Sequence, residues 1–421
     1  MRMPETIERL YLDFDGFYAS VEQLADRKLR GRPVGVVPHE NLANTSIIAV
    51  SREAKMAGVA NVMRLDEARR ICPDLVLVPQ KPDLYRRAHH ALISEIETVL
   101  PVDTIKSIDE MTCRLDEAGR AEPLALAARV KAAIRENIGA AITCSIGMAA
   151  NRQLAKMACK AGKWTDKRYG DGLTIWHPAD MPEPLLAVKM EDIPGIGERM
   201  ATRLRRIGIQ TTAELYKLQP KHMRKIWGNV TGERLWYALH GYDIQAEPSS
   251  RGMFGHGRVL PPELRTIPGA EGMARMLLVK AARRLRRENY YAAGVWLWFN
   301  TRHGQWSRKR RLPIVNDDQA LRGGLDALWA AARRDHPRGV TIHQVGVALL
   351  DLSPAGERQL DLLLNDDAER RRWEKISGVM DTLNGRHAQT LLHVGEWSPP
   401  EGGHLGGKIS YTRIPTAEDF W

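Results

Sequence analysis

The sequence predicts a multidomain α+β protein, and three observations carry that prediction. Strands alternate with helices through residue 180, as expected of a domain that packs helices on a sheet. From 183 to 245 the pattern changes to short helices. After AEPSSRG (246–252), a stretch of linker composition, a mixed strand and helix pattern returns over 253–352. A chain of 421 residues is long enough for several separate cores.

Taken in order, ERLYLDF (8–14) reads as a strand that ends in acidic residues. Residues 17–36 read as helical, followed by the short strand PVGVV. IIAVSREAKMAGV passes from strand to helix, and 84–99 is an amphipathic helix. TIKSIDEMTCRLD (104–116) reads as two short strands with acidic residues between them. A helix rich in Ala, Arg and Lys follows at 123–137, then the strand ITCSIGMA (142–149) and a further helix. In the last part, Val295-Trp296-Leu297-Trp298-Phe299 is a strand apolar on both faces. The helix 273–287 places Leu278, Ala281 and Leu285 on one stripe, with Arg283, Arg284, Arg286 and Arg287 off it. The final 65 or so residues carry short helix and strand signals, and no internal repeat is present.

Composition narrows the function. Hydrophobic residues make up 43% and charged residues 27%, ordinary for a globular protein, but the formal net charge is +11. That excess calls for a polyanionic partner, nucleic acid or an anionic membrane surface. Residues 251–350 hold 18 Lys or Arg against 7 Asp or Glu, an excess as large as that of the whole chain. Because this region keeps apolar periodicity, it reads as a folded basic face rather than a tail. The start lacks the apolar core of a secretory signal, and no run of 18 apolar residues exists. The four cysteines, Cys72, Cys113, Cys144 and Cys159, form no CxxC pair, which argues against structural zinc and disulfides. They read as reduced core thiols of a cytoplasmic protein, and nucleic acid is the expected partner, not membrane.

The chemistry sits in two acidic pieces: Asp13-Phe14-Asp15 at a strand end, and Ser107-Ile108-Asp109-Glu110 between two strands. Phosphoryl transfer needs its developing charge neutralised, and two divalent cations about 3.5–4 Å apart can do this. Mg²⁺ takes oxygen ligands and keeps several waters, so three carboxylates and a main-chain carbonyl suffice. Neighbours on an ideal strand point to opposite faces, so Asp109 and Glu110 can share a site only if the strand turns or ends there. DxD alone is more often a pair of surface carboxylates; its pairing with a distant SIDE favours a site.

The two pieces, in this order, resemble the Y-family DNA polymerases, the translesion group that includes bacterial DNA polymerase IV. LYLDFDGFYASVEQ resembles the first motif of that family, SREAKMAGV its fingers segment, SIDEMTCRLD its second acidic motif and CSIGMAANRQLAKMACKAGK its third. IPGIG falls at the thumb, and the likeness covers roughly the first 350 residues. The resemblance implies a right-hand-like polymerase. Palm and fingers would span 1–182 (fingers about 17–80), a helix-hairpin-helix thumb 183–245, a linker 246–252, a little finger 253–355 and a tail 356–421. It also implies two Mg²⁺ ions, with Asp13 and Asp109 bridging both, Glu110 on the ion near the primer terminus, and the Phe14 carbonyl on the nucleotide-bound ion. The implied reaction is attack of the primer 3′-OH on the α-phosphate of a dNTP, releasing pyrophosphate. Tyr18 falls at the steric gate that excludes a 2′-OH, and Lys163 at a triphosphate lysine. The chain departs from the family where Arg52 stands for Tyr, Lys55 for Arg, and Trp164-Thr165 for Pro-Asn, all of which bear on how the nucleotide is held.

Further signals concern DNA. In Ile193-Pro194-Gly195-Ile196-Gly197, Gly195 and Gly197 would let the backbone approach a phosphate. Met200, Leu204 and Ile207 of the next helix would pack inward, with Arg203, Arg205 and Arg206 off that stripe. Arg308-Lys309-Arg310-Arg311 is the densest basic cluster, suited to sequence-independent phosphate contact. Gln359-Leu360-Asp361-Leu362-Leu363 resembles clamp-binding peptides, so Gln359, Leu360, Leu362 and Leu363 would engage a sliding clamp. MDTLNGRHAQTLLHVG and SYTRIP resemble tails of bacterial members, including catalytic subunits of the polymerase V type. The expected protein is a monomer near the nucleoid that takes primer-template DNA and dNTPs. Competing readings are a catalytically weak accessory paralogue, a non-enzymatic DNA-binding protein and a palm-like nucleotide cyclase. None of them explains the acidic set together with the basic region and IPGIG.

Overall fold

The computed structural model describes residues 1–38, 45–163, 172–244, 251–337, 339–357, 367–395 and 414–420. Trp164 and Thr165, most of the linker stretch, most of SYTRIP, and Gln359, Leu360, Leu362 and Leu363 lie outside them. The chain divides into two compact units: Met1–Ala246 with Lys408–Pro415, and Glu247–Gly407 with Thr416–Trp421.

The first unit opens with β1 (Arg9–Phe14) and α1 (Phe17–Ala25). The helix is shorter than the periodicity of 17–36 suggested. Asp26 is extended and caps a 3-10 turn at Arg27–Leu29 through Lys28 N, which stops α1 at Ala25. A small subdomain follows: β2 (Val34–Val37), β3 (Ala49–Val50), α2 (Arg52–Met56), α3 (Leu65–Ile71) and β4 (Val76–Pro79). Its core is Ile47, Val50, Ala54, Val59, Leu65, Ala68, Cys72 and Leu75. Ser51 starts α2 by accepting from Ala54 N.

Next come α4 (Pro82–Glu97), β5 (Val102–Ile105), β6 (Glu110–Arg114), α5 (Glu117–Ala121), α6 (Pro123–Ala133), β7 (Cys144–Ala149), α7 (Arg152–Gly162) and β8 (Leu173–Ile175). Among the described residues the strands form three sheets, the largest ordered β5-β6-β1-β7-β8 with β1 at its centre. Leu10, Leu12, Met111, Ile146 and Met148 are buried in its core. Asn151 caps α7 through Leu154 N. The helix lies so close to the sheet that a Cβ on Gly147 would sit 2.1 Å from Cys159 N. Only glycine permits that approach, and it fixes α7 against the sheet that carries the acidic residues.

The unit ends in α8 (Glu183–Leu186), α9 (Glu198–Arg206), α10 (Thr212–Tyr216), α11 (Pro220–Trp227) and α12 (Val230–Leu239). A capping box between Thr211 and Glu214 sets the start of α10.

The second unit contains β9 (Phe254–Val259), α13 (Ile267–Arg287), β10 (Tyr290–Thr301), β11 (Gly304–Val315), α14 (Asp318–Asp335), β12 (Gln344–Pro354) and α15 (Asp367–His387). Its antiparallel sheet runs β11-β10-β12-β9. Val295, Leu297 and Phe299 of β10 join the buried core with Leu278, Leu285 and Trp329, while Trp296 and Trp298 alternate to the other face and stay half-buried. That is why the strand reads as apolar on both sides.

One expectation fails here. The tail holds a 21-residue helix, α15, where only short elements were expected. It is tied to the unit by Arg370 on Asp317 (3.2 Å), Asp381 on Arg286 (2.6 Å) and Ser377 Oγ accepting from Asp318 N (3.1 Å). The α13 arginines off the apolar stripe are also not all at the surface. Arg284 is buried beside His256, and Arg286 lies between Asp318 and Asp381. All four cysteines are buried free thiols. Among the described residues, no helix is long and apolar enough to cross a membrane.

Candidate active site at the strand ends of the first unit

The site grows from the end of β1. Asp13 pairs in register with Glu110 of β6 on one side and Ser145 of β7 on the other. Phe14 N donates to the Asp109 carbonyl at 2.9 Å. Residues 107–109 form a bend, closed by Lys106 N and Ser107 N donating to the Glu110 carbonyl at 2.9 and 3.1 Å. The chain therefore turns at Asp109 before β6 begins, which releases adjacent carboxylates from opposite faces of a strand. The Phe14 ring is buried in the core, so only its main chain is available to the site.

Each carboxylate has its own partner. Lys163 Nζ, just past α7, lies 2.7 Å from Asp13 Oδ1 and 4.0 Å from Asp15. Lys156 Nζ lies 2.8 Å from Glu110. Ser107 Oγ donates to Asp109. Asp15 accepts from Thr143 Oγ1 and Ser145 Oγ, both at 2.9 Å. Burial pushes the Asp13 carboxyl up to about 7; Lys163 opposes the shift, while Asp109 and Glu110 add to it. Asp109 is also shifted upward, by burial against the Ser107 hydrogen bond. Lys163 loses solvation but is held in its charged form by Asp13. Lys55, half-buried on α2, is shifted downward by burial and by Lys163, with Asp15, Asp13 and Asp109 pulling the other way. The cluster thus carries more negative charge than its lysines balance.

Among the described residues, no three such side chains converge tightly enough to hold an ion as they stand. Each carboxylate is instead engaged by a partner of its own, Lys163, Lys156 or Ser107. The donor set still fits a hard divalent cation: oxygen ligands on three adjacent backbone positions, with a carboxyl at Asp13 that resists ionisation because it is buried beside other carboxylates.

Two further groups brace this region from α4. Tyr18, on the first turn of α1, stacks on Tyr85 with centroids 4.5 Å apart and planes 13° from parallel. The Tyr85 hydroxyl donates to Glu22 Oε1 at 2.8 Å, and Lys81 Nζ lies 2.7 Å from Glu22 Oε2. One turn along α4, His89 is fully buried, with Nδ1 2.7 Å from the Ile108 carbonyl. The carbonyl can only accept, so Nδ1 carries the proton. Burial lowers the His89 pKa to about 4, keeping the ring neutral, and among the described residues its Nε2 has no partner.

Of the sequence candidates, Asp13, Asp109, Glu110, Lys163 and Lys55 are brought into one electrostatic cluster. Arg52 opens α2 and is exposed. Sequence reasoning missed Lys156, although its seven-residue spacing from Lys163, at the end of the same helix, was a usable signal. Glu22, Tyr85 and His89 gave no local signal, because their contacts cross between distant segments.

The DNA-facing candidates are divided. Gly195 has φ +101°, a left-handed turn that glycine favours, and Gly197 is the N-cap of α9. Arg203 donates to the Ile226 carbonyl at 3.0 Å, and Arg205 pairs with Glu191. The inward stripe of α9 is Ala201 and Leu204, while Ile207, expected inside, is 55% exposed because the helix stops at Arg206. In the second unit Arg308, Lys309 and Arg310 lie on the edge strand β11 and are exposed. Arg308 pairs with Asp335 at 2.9 Å, and Lys309 Nζ sits 5.7 Å from the centre of the Trp296 ring.

Residues 12–160 match the impB/mucB/samB family, and 251–362 match the C-terminal domain of that family. Residues 191–243 match the thumb domain of DNA polymerase-iota. The chain is 32% identical to the DNA polymerase IV of Moorella thermoacetica, across 91% of this chain and 94% of that protein. It is 28% identical to the DNA polymerase IV of Oceanobacillus iheyensis, across 91% and 90%. Among solved structures, it is similar to the Y-family DNA polymerase chimera Dbh-Dpo4(243-245)-Dbh. The TM-score is 0.66 at 22% identity, covering 82% of this chain and 99% of that one. The fold is therefore that of a multidomain α+β polymerase.

Proposed function

The chain belongs to the Y-family DNA polymerases, as a relative of DNA polymerase IV, and from that premise we propose which of its residues perform the reaction. It is a DNA-directed DNA polymerase of the translesion group, binds DNA and depends on divalent metal. In our reading Asp13, Asp109 and Glu110, with the Phe14 carbonyl, would hold two Mg²⁺ ions. When bound, these ions would neutralise the triphosphate and make the primer 3′-hydroxyl a better nucleophile. The observation that carries the reading is the gathering of three carboxylates at the ends of β1 and β6, under-neutralised by Lys156 and Lys163. Lys163 and Lys55 stand beside those carboxylates and would grip the triphosphate. Lys163 would exchange Asp13 for phosphate oxygens as the nucleotide arrives. Tyr18 would act as the steric gate, and Arg52, exposed at the start of α2, would reach the nucleotide from the solvent side.

We assign palm and fingers to residues 1–182, thumb to 183–245, linker to 246–252, little finger to 253–355 and tail to 356–421. Gly195, Gly197 and Arg203 of the thumb, with Arg308, Lys309 and Arg310 of the edge strand, would hold the DNA backbone. Gln359, Leu360, Leu362 and Leu363 would bind a sliding clamp, and the enzyme would act as a monomer. The test is extension of a primed template by the full chain with dNTPs and Mg²⁺. Product formation that stops on chelation, and is lost in Asp109→Ala, is expected. Extension by Asp109→Ala at the parent rate overturns the site assignment. The same assay with and without the clamp reads the tail: no clamp stimulation, or an equal one in Gln359→Ala, overturns the clamp assignment.

A further inference from the structure

Glu22 is an anomaly of the first unit. It is a carboxylate on α1 with 0% exposure, yet it belongs to no metal cluster. A buried carboxylate is tolerated only when paired and hydrogen-bonded. Glu22 meets both conditions through α4, with Lys81 Nζ at 2.7 Å on one oxygen and the Tyr85 hydroxyl at 2.8 Å on the other. Tyr85 is 1% exposed, so its ring cannot turn away. Its free face carries the Tyr18 ring, nearly parallel at 4.5 Å. Glu22 lies four residues beyond Tyr18, one helical turn along the same side of α1. The four side chains close a loop: Tyr18 and Glu22 share a helix, Tyr85 lies on a second helix with Lys81 at its N-cap, and the two pairs meet at three contacts.

We infer that Tyr85, held by buried Glu22, is a positioning residue that sets where the Tyr18 ring stands and thereby how strictly the enzyme selects deoxyribose over ribose. The inference rests on the reading of Tyr18 as the sugar gate. A gate excludes a single oxygen atom, so it works only if its ring cannot retreat by a fraction of an ångström. Tyr18 is half-buried and cannot supply that stiffness alone. The wall behind it supplies it: an aromatic face that prefers offset-parallel contact, anchored by a hydrogen bond to a charged group in a dry setting.

The test compares kcat/KM for dNTP and rNTP insertion by the full chain on one primed template. Tyr18→Ala should raise the rNTP-to-dNTP ratio by about a hundredfold, since it removes the wall itself. Tyr85→Leu, which takes away the backing ring, should raise it about tenfold. Tyr85→Phe keeps the ring and loses only the hydroxyl bond to Glu22, so it should raise the ratio by about threefold. Because Phe fills the same space, it carries the test even where Leu does not fold. In a double-mutant cycle, Tyr85→Phe should have no further effect on the ratio once Tyr18 is Ala. If the Tyr85 variants lower both efficiencies equally while Tyr18→Ala opens the gate, the inference is overturned and the gate reading stands. If Tyr18→Ala leaves the ratio unchanged, the gate reading fails, and this inference with it.

Discussion

Two charge clusters, one in each unit, handle burial in opposite ways. At the ends of β1 and β6, like charges are pressed together, and Asp13 is pushed up to about 7 by burial first and by Asp109 and Glu110 after it, against the pull of Lys163. In the second unit, opposite charges are buried together. Arg286 lies between Asp318 and Asp381, Arg370 sits on Asp317, and Arg275 and Arg333 share Glu271. The difference separates a site from a scaffold. An under-neutralised cluster has free energy to gain from a bound cation, whereas a closed network has none to offer a ligand. The basic character of the second unit therefore overstates what it can present to DNA, since several of its arginines are committed inside it. Exposed basic side chains remain on the edge strand, Lys309 and Arg310 among them.

Four measurements break or sharpen this contrast. The largest effect is expected at the acidic cluster: Asp109→Ala should cut primer extension by ~10³-fold or more while leaving the fold intact, since it removes a strained charge rather than a satisfied one. A loss of thermal stability in that variant would mean that the cluster is structural. Arg286→Ala should do the reverse. Stranding two buried carboxylates costs about 3–5 kcal/mol, read by urea unfolding. A loss below 1 kcal/mol would show that the network is loosely held.

The third measurement concerns pH. His89 titrates near the ordinary 6.5 when unfolded but only near 4 when folded. Between those values the unfolded chain binds the extra proton and the folded one does not, so stability falls as pH drops from 6.5 towards 4. The contribution is about 3 kcal/mol, absent above pH 6.5. His89→Phe should be less stable at pH 7, because the Ile108 carbonyl loses its donor, and should show a shallower decline with acid. An unchanged slope would remove His89 from the account. The smallest effects belong to the rim: Lys309→Ala and Arg310→Ala should leave stability within about 0.5 kcal/mol. Each should lower the slope of log affinity for DNA against log salt by about 0.9. A normal slope in both would move the DNA contact elsewhere.

Much of the fold could be read from the sequence because it follows local rules. Strand, bend and strand were visible around SIDE, and the apolar faces of β10 marked a central strand. The proposed reaction residues stood out for a different reason: metal chemistry needs carboxylates, and carboxylates at strand ends stand out against an apolar background. What escaped was set by tertiary contact. The end of α1 depends on a side-chain cap at Asp26, and Ile207 escapes the core because its helix stops one residue earlier. Arg284 and Arg286 gave the same signal as surface arginines, and only the packing of α13 against its neighbours buries them. Tyr85 and Glu22 are 63 residues apart, beyond the reach of any periodicity.

The attachment of α15 has a consequence for synthesis. The match to the C-terminal family domain ends at residue 362, yet Asp381 neutralises Arg286 and Arg370 neutralises Asp317. Further on, Asp419 takes a hydrogen bond from buried Lys280 through its carbonyl, at 2.6 Å. While the chain is still on the ribosome, the second unit must wait for α15 and Asp419 with uncompensated charges in its interior, and the first unit still awaits Ile414, which packs on its core.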